Sequence, residues 1–557
     1  MNRPGRRPAL GGSGMRGIGG PSQSRGFARV AVMALIVVAM LAGGWFAVTQ
    51  FFGGGCDEGY CATSLDVDPP QGFAFASDVY EYRGDAPRIP EGSSIEIDIP
   101  IAEGSEASTG LSFYRFLPDE GAWDHITTAE FDETGERAIG VFEEVPATIV
   151  LMQRDTPAGH AAAFLNPGDT LHPQARDDLT MVHTRDLTPT GGGGVSGEVS
   201  NVELRADQEH FPVLMANEEI EGAIANLDAI LESSSSRTSH VQQIVEFVSD
   251  AGVDGVNLAF VDLRDDQRTS YALLVEELGT ELDRAGLRLA VTLPPPERTQ
   301  EGIDPGPYDW DVIGQAADLV VMQPILDQSS YRSEMPHILE YLSEQMPLNK
   351  LLLSITPYAV EKGEEVRRLQ LVEAMRIATQ IEVEDGKPAT NDNVALIARN
   401  LDQTEGLSGM LWDESTATVA FTYRDDGGRT VWLENQYSAG FKLEFVTAYN
   451  LGGFAVDDAS DDEMHGNLWP ALVDFIQTGE PDLARPDSDT LSPQWEVTGG
   501  SIEGGQRGVA RWTTPSEPGT YTVELRVSDG VFTFQSQTEV TVEQREEPDD
   551  ADDAEGE

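Results

Sequence analysis

The alternation of apolar and polar positions changes character along the chain. Over 76–190 it has period two: Ile95, Ile97 and Ile99 alternate with polar neighbours, and Leu111-Ser-Phe-Tyr-Arg-Phe116 and Ala147-Thr-Ile-Val-Leu-Met152 are further runs set between turn residues. That spacing predicts a β-rich domain, a small sandwich. Gly191-Gly-Gly-Gly194 reads as a glycine-rich linker over 191–199. Beyond it, short apolar runs alternate with helical stretches. The predicted strands are 202–206, 211–216, 255–260, 287–293, 319–323, 351–355, 407–412 and 452–456. Between them Tyr271, Leu274, Val275, Leu278 and Leu282 recur at helical spacing, as do residues of 240–248. Strands alternating with helices over 200–482 predict a (β/α)8 TIM barrel, whose chemistry sits at the C-terminal ends of the strands. Period-two alternation returns over 488–545.

The first residues carry a different signal. Arg3, Arg6, Arg7, Arg16, Arg25 and Arg29 occur with no acid in 1–29, and 30–52 is apolar except for Thr49 and Gln50. A basic cytoplasmic tail followed by one N-terminal transmembrane helix is the expectation, with the bulk of the chain outside the cell; a cleaved signal peptide is the alternative. The segment 53–75 reads as a linker holding the two cysteines of the chain, Cys56 and Cys61. An exported position permits a disulfide between them, the alternative being a lipid-modified Cys56.

Charge narrows the partners. The 557 residues hold 96 acids against 36 bases, a formal charge of −60. Nucleic acid is therefore excluded as a partner. Only four of the bases are lysine, so genome composition or a salty habitat accounts for the acidity as well as function does. The dense acids of 546–557 read as a disordered tail. No cofactor or metal is expected, since no Cys/His cluster or twelve-residue EF-hand pattern is present.

Two segments carry resemblances. Asp254-Gly-Val-Asn-Leu-Ala-Phe-Val261, then Gly286-Leu-Arg-Leu-Ala-Val-Thr-Leu-Pro294, 316–322, 351–358, the hairpin over 423–432 and the stretch 432–456 together resemble ordered blocks of the family 18 glycoside hydrolases. The blocks include that family's fourth-strand pattern D-G-x-D-x-D-x-E. Near the C-terminus, Trp512, Pro518-Gly-Thr-Tyr521 and Val527-Ser-Asp-Gly530 resemble PKD-type immunoglobulin-like domains. The resulting fold class is an α/β TIM barrel between an N-terminal β-rich domain and a C-terminal immunoglobulin-like β-sandwich.

The first resemblance implies hydrolysis of β-linked N-acetylhexosamine polymers, in which one Glu protonates the leaving oxygen and the substrate's acetamide attacks the anomeric carbon. This chain departs from the pattern where the chemistry lies. Asp254 matches the first Asp and Asn257 replaces the second, but Ala259 stands for the Asp that orients the acetamide and Val261 for the acid. The sixth-strand Met-x-Tyr appears as Met322-Gln323-Pro324, and the eighth strand lacks its floor tryptophan. The expectation is a catalytically inactive glycan binder, with no catalytic residue and with Asn257, Met322, Gln323, Tyr358 and Trp412 near the strand ends. The alternatives are a hydrolase with a displaced acid, such as Asp265, Asp266, Asp413, Glu414, Asp457 or Asp458, and a surface scaffold.

Overall fold

The computed structural model describes residues 59–545 apart from 66, 71–72, 85, 91–92, 103–110, 119–121, 133, 143, 155–157, 426 and 463. The basic tail, the apolar stretch 30–52, Cys56 and the acidic tail lie outside the described residues. Among those described, no helix is long and apolar enough to cross a membrane. Cys61 is buried in the strand Gly59–Thr63.

Eight parallel strands close a barrel: β1 His160–Leu165, β2 Met181–Pro189, β3 Glu209–Ala216, β4 Gly255–Phe260, β5 Arg288–Leu293, β6 Leu319–Met322, β7 Leu351–Ile355 and β8 Gly453–Val456. They neighbour one another in chain order, and β1 pairs with both β2 and β8. Gly453 has φ 147°, and a Cβ there would stand 2.0 Å from the His160 carbonyl oxygen, so only glycine lets β8 close on β1.

Side chains alternate across the wall as the strand period demands. Ala162 and Phe164 of β1, Phe211 and Val213 of β3, Ala259 of β4, Ala290 of β5, Val321 of β6, Leu352 of β7 and Ala455 of β8 fill the barrel. Their neighbours Val256, Leu258, Phe260, Val320, Met322 and Leu353 pack outward with helices such as Ser234–Ala251 and Arg268–Ala285.

Two strands predicted from sequence are not staves. The stretch 202–206 is irregular; Leu411–Asp413 pairs antiparallel with Thr418–Arg424 in a five-stranded sheet inserted between β7 and β8. The true β1 and β2 fall within 76–190. Strand β1, His-Ala-Ala-Ala-Phe-Leu, has no β-branched residue, and both follow the N-terminal strands without a break in pattern. Gly191–Gly194 is no linker but a tight turn: Gly193 has φ 78°, and its carbonyl contacts His240 Nδ1 at 2.5 Å.

The N-terminal strands form a six-stranded and a three-stranded sheet around Ile95, Ile97, Phe113, Phe142 and Leu151. This sandwich meets the barrel at the N-terminal end of β8, where buried Arg154 donates from Nε to Asn450 Oδ1 at 3.0 Å and from a terminal nitrogen to the Leu451 carbonyl. The C-terminal segment is a sandwich that is not self-contained. A three-stranded sheet, Gln494–Val497, Gly519–Ser528 and Thr533–Val542, faces a four-stranded one in which Val509–Thr513 pairs with Asn393–Ala398 from the β7–β8 insertion. Leu396 shares a core with Trp512, Val523 and Val540.

Candidate functional site

The inward alternation puts one to three side chains from every strand end around a cavity of about 110 Å³. Its apolar lining is Phe164, Val213, Met215, Ala259, Val261 and Val321. Its polar lining is Arg185, Asn217, Thr292, Gln323, Ser354 and Asp457. Both severely substituted motif positions, Ala259 and Val261, therefore face the centre of the barrel mouth.

Asn257 lies one layer deeper and is fully buried. Its amide donates to His183 Nδ1 at 3.2 Å and accepts from Thr292 Oγ1 at 2.8 Å. Burial first, then the charges of His210, Arg185 and Arg288, push the His183 imidazole down to about 3, so it is neutral and accepts from Asn257. Asp254 precedes β4 at the opposite end of the barrel, where its carboxylate accepts from the His210 backbone N–H at 2.8 Å. It is a structural brace.

The cavity lining contains one carboxylate, Asp457, and it is not free. Arg185 donates to its Oδ1 at 2.9 Å and to its backbone carbonyl at 2.8 Å, while an Arg368 guanidinium nitrogen lies 2.7 Å from Oδ2. Held between two guanidiniums, this buried carboxylate is already paired and does not stand free in the cavity. Asp262, next to the acid position, has φ 59° and turns away to accept from the Glu218 N–H at 3.0 Å. Asp266 pairs with Arg264, Glu414 pairs with Arg485, and Asp413 caps its own turn through Ser415. None of these, nor Asp265, lines the cavity. Among the described residues no group of three or more His, Cys, Asp or Glu side chains could hold a metal ion.

Of the residues predicted to bind at the mouth, Gln323 lines the cavity. Met322 does not, because it faces the helix layer. The inward pair of β6 is Val321 and Gln323, one residue out of the register expected from sequence, which puts Gln323 where the family pattern has tyrosine. Trp412 belongs to the inserted sheet and packs on Phe441, ring centres 5.5 Å apart.

Tyr358 lines a second, outer cavity of about 430 Å³ with Asn166, Asp169, Gln370, Asp458, Asp461, Asp462 and His465 among its walls. Its hydroxyl donates to Asp458 Oδ2 at 2.7 Å. Burial and that bond to a carboxylate both raise the phenol. Burial also works to raise Asp458, but the bonds from Tyr358 and Ser460 and the nearby His465 outweigh it and hold the carboxyl below its ordinary range. Asn166 divides the two cavities: its oxygen accepts from Arg185 at 3.2 Å and its nitrogen donates to Asp458 at 3.3 Å.

Residues 203–462 match the family model of the glycosyl hydrolases family 18. The match spans β3 to β8 and leaves β1 and β2 outside it. No curated protein matches the chain. Among solved structures, the chain is similar to a chitinase from Chromobacterium violaceum, at 19% identity over 57% of this chain and 99% of that one, TM-score 0.44. The spore cortex-lytic enzyme SleL of Bacillus megaterium shares 18% identity over 59% and 77%, TM-score 0.43. A class V chitinase from Pseudomonas fluorescens shares 17% over 57% and 98%, TM-score 0.42. Arg185 and Phe164 lie outside the matched stretch, since both sit on staves that precede it. Sequence reading missed both. The alternation Met181, His183, Arg185 marks the inward face of β2 once that strand is assigned to the barrel.

Proposed function

We propose that the chain is a non-hydrolysing, glycan-binding protein of the cell envelope, anchored by 30–52 with residues 53–557 outside the membrane. The observation that carries this reading is Val261 facing the mouth cavity while the single lining carboxylate, Asp457, is held between Arg185 and Arg368. Losing a general acid removes about 10² to 10⁴ in rate. Ala259 and Gln323 deprive the site of the groups that would position an acetamide for attack.

Binding is supported by what remains. An apolar floor with amide and hydroxyl groups above it suits sugar substituents, which bury a nonpolar group and satisfy oxygens at once. Chitin-like and peptidoglycan-type polymers are the ligand class that the family 18 resemblance implies. The C-terminal sandwich, of PKD type in this reading, serves as a spacer or contact surface. Calorimetric titration of the purified chain with chitooligosaccharides and peptidoglycan fragments tests the reading, with product analysis of the same samples. Saturable binding without products supports it; chain cleavage or the absence of any binding overturns it.

A further inference from the structure

We infer that the mouth cavity receives a carboxylate-bearing substituent of a sugar, with Arg185 as the residue that selects it. The inference rests on the glycan-binding reading and specifies the ligand class of that same site. Size comes first. A cavity of roughly 150 Å³ takes one benzene ring, so about 110 Å³ admits a substituent of a few atoms while the sugar ring stays at the rim.

Hydrogen-bonding character comes next. The three bonds made by Arg185, to Asn166, to the Asp457 carbonyl and to Asp457 Oδ1, leave at least two of its five N–H groups without a partner among the described residues. Asn217 spends its oxygen on the Ile220 N–H at 3.1 Å, which leaves its amide nitrogen to donate. Gln323 and Ser354 line the same cavity with polar ends that bond no other described side chain. Thr292 has given its proton to Asn257. Apart from Thr292 and the paired Asp457, the polar lining offers donors, and a carboxylate is a ligand that only accepts.

Charge agrees. Arg185 is the one cation of the cavity lining, and Asp457, the one lining carboxylate, is shared between it and Arg368; the aspartates beyond Asn166 line the outer cavity. Asp458 is turned into the outer cavity and bonded to Tyr358 and Ser460. The Arg185 guanidinium lies 4.8 Å over the Phe164 ring and is fixed there by its partners, so little side-chain freedom is lost on binding.

The test is calorimetric titration of the full-length chain with two matched pairs: N-acetylmuramate against N-acetylglucosamine, and glucuronate against glucose. In each pair the acidic sugar is expected to bind at least about tenfold tighter, the scale of one charge-assisted hydrogen bond. Arg185→Gln is expected to abolish that preference, Gln323→Leu to weaken it by roughly threefold, and added salt to erode it in the unsubstituted chain. Equal affinity within both pairs, or a preference that survives Arg185→Gln, overturns the inference. Equal binding of acidic and neutral sugars leaves the glycan-binding reading standing, whereas failure of every sugar and of chitooligosaccharides removes both.

Discussion

The inner and outer cavities at the barrel mouth are joined by Asn166, which bonds Arg185 of the one and Asp458 of the other, and differ in almost everything else. The inner one, about 110 Å³, is floored by Val213, Ala259, Val261 and Val321 and has one carboxylate, already paired. The outer one, about 430 Å³, gathers Asp169, Asp458, Asp461 and Asp462 from the loops after β1 and β8. In a chain with 96 acids the inner lining is where acid is withheld. At the inner mouth Ala259 and Val261 set apolar side chains beside the donors Arg185 and Asn217, the arrangement on which the non-hydrolysing proposal rests. Acidity elsewhere belongs to the solvated surface.

Acid should separate the two cavities most strongly. His183 beneath the inner floor is pushed to about 3, and His125 and His160 near Arg154 to about 4, in each case by burial first. The unfolded chain takes up these protons below the ordinary histidine value while the folded chain does not, so stability is full above about pH 6.5 and falls towards pH 3–4. The cumulative loss should reach several kcal/mol, with His183→Gln removing part of the slope in denaturation measured against pH. Asp458, held low, adds its loss only as pH falls below the ordinary carboxylate range.

Val261→Glu should come next, setting a carboxyl in the mouth between the apolar Val213, Ala259 and Val321 and the donors Arg185 and Asn217. It should restore no turnover in product analysis, since Ala259 and Gln323 remain; hydrolysis by this variant would show that the missing acid alone separates the mouth from a working site. Asp457→Asn leaves Arg185 and Arg368 without their countercharge and should cost about 2–3 kcal/mol in chemical denaturation, less than a fully buried pair because both arginines reach solvent. Tyr358→Phe in the outer cavity should have the smallest effect, about 1 kcal/mol, with the Asp458 carboxyl moving up in an NMR titration.

Much of the barrel was legible because its strands are continuous apolar runs. Strands β3 to β8 carry them, and the fourth-strand pattern put Ala259 and Val261 at the mouth, where they lie. Strand β1 escaped because three alanines in a row carry little strand signal, and losing β1 and β2 concealed Arg185 and Phe164. Met322 was misjudged by a register of one residue, which in a strand exchanges the two faces of the wall. Trp412 was misplaced because pairing partners decide whether a short apolar run is a stave or an insertion strand. The sandwich expected over 488–545 is there, but the strands it takes from 381–398 were missed for the same reason: sequence shows alternation within a strand, not which distant strand completes the sheet.

The proposed function requires this barrel mouth to hold a glycan without cutting it. Mass-spectrometric product analysis of a calorimetric titration with chitooligosaccharides and peptidoglycan fragments tests it in one sample. Saturable heat with every oligosaccharide recovered at its starting length is the expected result. Shorter oligosaccharides accumulating with time would show hydrolysis and place an active acid outside the Val261 position.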